Sequence, residues 1–125
     1  MRIILPLLLA ACVAAPASAQ TMNAEAFHNR ATKLKAKGPL ALLSGGEIKA
    51  LQQEGQAAGE AAAAQMKADK AAGRKTRFCA PPGPRKMGSG EFMERLSAIP
   101  AAQRARIDMT EAVTRIMAAK FPCRS

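Results

Sequence analysis

The sequence predicts an all-α protein, a small four-helix domain whose C-terminal helical hairpin is closed by one disulfide. Three observations carry this. Beyond residue 20 no useful stretch alternates apolar and polar residues as a half-buried strand does. Apolar residues recur instead at three- and four-residue intervals, the spacing of a buried helical stripe. Two cysteines, Cys79 and Cys123, frame the last third of the chain, each beside a proline-containing turn that ends helical sequence.

The elements follow in order. Met1-Arg2, an apolar run from Ile3 to Ala15 and the small-x-small site Ala17-Ser18-Ala19 have the layout of a cleaved secretory signal, too short for a spanning helix. Residues 1–19 are therefore read as a leader for bacterial export and residues 20–125 as one domain. Leu9-Ala10-Ala11-Cys12 also resembles a lipoprotein box. The apolar stretch before Cys12 is cramped and the later Ala-x-Ala site is well placed, so a lipid anchor is the minor alternative.

Asn23 can cap a first helix that stops before Gly38-Pro39, with Phe27, Ala31 and Leu34 on one face and cations near its end. Leu40 to Leu43 read as an apolar connector tucked under the bundle. Ser44-Gly45-Gly46-Glu47 has the form of a capping box and opens a long helix with Ile48, Leu51, Gly55, Ala58 or Gly59, Ala62 and Met66 inward. Gly55 and Gly59 each cost about 1 kcal/mol against alanine, which points to a close approach of another backbone. The basic run Lys67 to Arg77, interrupted by Gly73, is expected to fray into a linker.

Ala80-Pro81-Pro82-Gly83-Pro84 cannot be helical and makes a stiff loop rooted at Cys79. Ser89 can cap a short helix bearing Phe92, Leu96 and Ile99, which Pro100 ends while opening the next. The last helix is expected over Ala101 to Lys120, with Ala105, Met109, Ala112, Ile116 and Met117 inward. Phe121-Pro122-Cys123 stops it. In an oxidising compartment the two cysteines left after leader removal are expected to pair.

Composition narrows the function. The formal net charge is +10, which favours anionic partners. Nucleic acid fits poorly, because the chain has no Trp or Tyr to stack bases and no helix-turn-helix, zinc or RNA-binding signature. His28 is the single histidine, and it has no neighbouring carboxylate pair or cysteine cluster for nucleophilic or metal chemistry. Glu91 with Glu94 and Asp108 with Glu111 sit one helical turn apart among arginines, a pattern of surface ion pairs rather than an acid-base pair. Gly83 to Gly90 lacks the preceding strand and spacing of a nucleotide loop. No cofactor, no metal and no enzymatic activity are expected.

Phe78-Cys79-Ala80-Pro81-Pro82-Gly83, a short amphipathic helix ending at Ile99-Pro100, and a final helix closing with Lys120-Phe121-Pro122-Cys123 resemble the C-terminal half of the Tai-type immunity proteins. The resemblance runs from Phe78 to Cys123. It implies a periplasmic, helical, often dimeric protein that binds a peptidoglycan amidase delivered by type VI secretion and covers its catalytic cleft. The residues that the stiff loop would present to such a partner are Arg85, Lys86 and Met87, with Ser89 and Glu91 at its edge, since a preorganised loop loses less entropy on binding. The competing expectation is a non-enzymatic periplasmic structural protein, chaperone or envelope-binding module with a basic surface.

Overall fold

Asn23 starts the first helix as its residue type suggests: Oδ1 accepts from the backbone amides of Glu25 and Ala26, and Nδ2 donates to the Ala105 carbonyl at 2.9 Å. In the computed structural model, which describes residues 21–81 and 87–124, the order is α1 (Ala24–Ala36), a 3₁₀ turn (Gly38–Ser44), α2 (Gly45–Ala71), α3 (Ser89–Ala98), the single-turn α4 (Ala101–Arg104) and α5 (Met109–Lys120). The leader and Cys12 lie outside the described residues. Cys79 and Cys123 form a disulfide, Cα to Cα 4.9 Å, beside the backbone bond from the Cys79 amide to the Phe121 carbonyl.

The four longer helices share one core. Phe78, Leu96 and Met109 are its largest fully buried side chains, joined by Phe27, Leu51, Ala58, Ala62, Val113 and Ile116. Ala58 and Ala62 let α2 run along α5, while Phe27 of α1 meets Phe92 of α3 edge to face, centroids 6.0 Å apart. Burial of these apolar side chains, rather than helix propensity, holds such short helices together.

Several expectations are corrected. The last helix is broken, because Asp108 caps a fresh start at α5 by accepting from the Glu111 amide at 2.8 Å. The intervening backbone is bound elsewhere: the Ala24 amide donates to the Ile107 carbonyl, and the Met109 amide to the Met22 carbonyl. This antiparallel bridge between Asn23 and Asp108 leaves Ala105 exposed instead of inward. Leu40, Leu42 and Leu43 are exposed and tuck under nothing. Ser44 makes no cap bond, since its hydroxyl accepts from Lys37 Nζ at 3.1 Å while Glu47 is gripped by Arg30 on both oxygens. Gly88 rather than Ser89 is the cap residue of α3, and Ser89 is its first helical residue.

The basic run is helical as far as Ala71 instead of fraying. Gly73, at φ +70°, closes it: the Arg74 amide reaches the Asp69 carbonyl and the Gly73 amide the Lys70 carbonyl. The Asp69 side chain adds bonds from Gln65 and Arg74, each 3.0 Å.

Candidate functional site

Among the described residues the glycine face of α2 does not meet another helix. A Cβ built on Gly55 or Gly59 finds nothing within 4 Å, so the close approach expected there is not made internally. The physical reason is angular. Helix α5 packs on Ala58 and Ala62, which are buried, and the two glycines lie beside that line of contact. They form instead one wall of an open groove of about 790 Å³.

Every helix except α4 contributes to this groove. Phe27 and Leu34 come from α1, Ile48 and Leu51 from α2, Phe92 and Met93 from α3, and Val113 and Met117 from α5. Gln52 and Gln56 supply polar atoms from α2, and Lys120 and Phe121 also line the groove. The lining is predominantly apolar with few polar groups, as in a surface built for a hydrophobic segment rather than for a charged small molecule. Met87 is half-buried against the core and Ser89 is exposed, and both line the groove.

Glu91 is tied to the groove through one lining residue, Lys120. It accepts from Lys120 Nζ at 2.9 and 3.0 Å and from Arg95 at 3.1 Å, and these bonds, the lysine's first, hold its carboxyl below the ordinary range. Through them the start of α3 is tied to the end of α5, beside the disulfide. Thus Met87 and Ser89 line the groove, and Glu91 is joined to it through Lys120. Arg85 and Lys86 lie outside the described residues. The groove itself escaped the sequence reading, although the exposed cost of two glycines in a helix was its one visible signal.

Of the two carboxylate pairs, one member each is ion-paired, Glu91 as described and Glu111, while Glu94 is exposed and has no ion pair among the described residues. Glu111 binds Arg77 at 2.8 Å and Arg115 at 3.1 Å, and Asp108 is occupied as a helix cap. His28 sits at the boundary of the core, with Nε2 2.9 Å from the Ser97 hydroxyl and Nδ1 buried without a partner. Burial first, then the charge of Arg104, lowers its pKa. Among the described residues no group of three or more His, Cys, Asp or Glu side chains could hold a metal ion.

Fold and groove together define a disulfide-tied helical protein with an open apolar groove. No family model, curated protein or solved structure matches the chain.

Proposed function

We propose that this chain is an exported, non-enzymatic binding protein of the immunity type, which holds a cell-wall amidase effector in the periplasm and covers its active site. The observation that supports the reading is an apolar groove lined by Met87 and Ser89, with Glu91 bonded to its Lys120, in a fold closed by a disulfide. A wall held by α2, α3 and α5 is preorganised, so a partner segment can bury apolar surface without first ordering it. The resemblance over Phe78 to Cys123 adds the class of partner. The groove contributes shape and apolar area, and the strongly positive net charge speeds encounter with an acidic surface.

The test is capture of neighbouring-gene products and exported proteins by the immobilised chain, repeated in high salt. One stoichiometric complex with a peptidoglycan amidase, inhibited on binding and weakened roughly tenfold by filling the groove with Gly59→Leu, is the outcome expected. Recovery only of envelope material that washes off with salt overturns the reading, because screening acts on surface charge and leaves apolar contacts intact.

A further inference from the structure

The 3₁₀ turn between α1 and α2 carries apolar side chains that the fold leaves uncovered. Leu40, Leu42 and Leu43 are 65%, 81% and 84% exposed, and no residue of the turn is buried. Contiguous exposed leucines are unusual on a soluble surface and mark a contact. They do not belong to the groove, whose lining includes none of them.

The charge around them is one-sided. Lys33, Lys35 and Lys37 precede the turn and Lys49 follows it in α2, all exposed. Among the described residues none of the four takes part in an ion pair, and Lys37 has only the Ser44 hydroxyl. Glu47 is the sole acid from residue 32 to residue 49, and Arg30 holds both of its oxygens at 2.7 Å.

We infer that this tip docks on an anionic phospholipid surface, with the three leucines entering the boundary between headgroups and acyl chains and the four lysines resting on the phosphates. Protruding apolar side chains ringed by cations are the chemistry of interfacial anchoring. A second copy is a poor occupant, because pairing two tips sets lysines against lysines. Among the described residues no helix is long and apolar enough to cross a membrane. The docking uses a face distinct from the groove and stands independently of the immunity reading.

The experiment is co-sedimentation of the chain, as purified from the expressing cell with its disulfide formed, with vesicles of equal parts phosphatidylethanolamine and phosphatidylglycerol, against phosphatidylcholine alone. Wild type and variants share the same N-terminal segment, so any contribution from it cancels. Binding to the anionic vesicles is expected, reduced roughly tenfold or more by Leu42→Ser with Leu43→Ser and about fivefold per charge by Lys→Gln at 33, 35 and 37. Because these side chains are exposed, the melting temperature should stay that of wild type. Equal binding to neutral and anionic vesicles, or unchanged binding by both sets of variants, overturns the inference. So does a wild-type dimer that the leucine variant dissolves while vesicle binding is unaffected, which would assign the tip to a second copy.

Discussion

Arg104 shows how much one residue can organise. Its side chain is buried, the residue being 6% exposed, and it joins three segments by donating to Glu25 at 2.6 Å, to the Ser97 carbonyl at 3.3 Å and to the Ile99 carbonyl. Arg104→Ala leaves those acceptors short of a donor in a partly dry site, and a loss of about 2 to 3 kcal/mol in urea unfolding is expected. Arg104→Lys should recover only part, because one ammonium cannot span the fork. Glu111 supplies the pH dependence. Its hydrogen bond from Arg77, then that from Arg115, lowers its pKa from the ordinary 4.5 against the opposing effect of burial. A depressed folded pKa means that the stabilisation is complete above 4.5 and disappears as pH falls through the lowered value. The stability gap between wild type and Glu111→Gln, followed by thermal unfolding, should therefore be constant near neutrality and close on acidification.

At the scale of the element, α2 departs most from what helix chemistry alone prefers. Gly55 and Gly59 lie in its interior with open space where a Cβ would stand, so neither close packing within the chain nor backbone conformation requires glycine there. Gly55→Ala and Gly59→Ala should each raise stability by about 0.5 to 1 kcal/mol, read as a shifted denaturant midpoint with an unchanged slope. If the glycines are kept for a partner's approach, the same substitutions weaken capture of that partner while stabilising the free protein. A destabilisation would instead mean that α2 is held differently from the packing on Ala58 and Ala62. The break before α5 belongs to the same scale. Asp108-Met109-Thr110-Glu111 carries an N-cap followed three residues later by Glu, and this signal was present in the sequence. The continuous apolar spacing from Ala101 to Lys120 masked it, since helical periodicity does not report a one-turn interruption.

For the whole molecule the disulfide is the dominant constraint. It links residues separated by 44 positions and fastens the root of the proline-rich loop to the end of α5. The chain-entropy relation puts its contribution at about 4 kcal/mol, a large share of the roughly 5 to 15 kcal/mol of an ordinary domain. Replacing both Cys79 and Cys123 by Ala should lower the urea midpoint accordingly. Groove binding should fall with it, because α2 and α3 are then joined by an untethered chain segment. A double variant with wild-type stability would show that the packing of Phe78 and Leu96 already holds these elements in place.

What the sequence by itself determined is local. The cap at Asn23, the stop at Gly38-Pro39, the helical class and the pairing of Cys79 with Cys123 all depend on residues a few positions apart or on simple elimination. Tertiary structure alone decided which apolar surfaces find a cover. Leu34 and Leu42 are equally hydrophobic, yet one faces the groove and the other solvent, because burial depends on whether a distant element arrives. In the same way the pairing of residues 22–24 with 107–109 breaks the last helix, and the line of α5 along Ala58 and Ala62 turns the glycine face outward. A periodic pattern states that a face is apolar. It carries no information on which element covers that face.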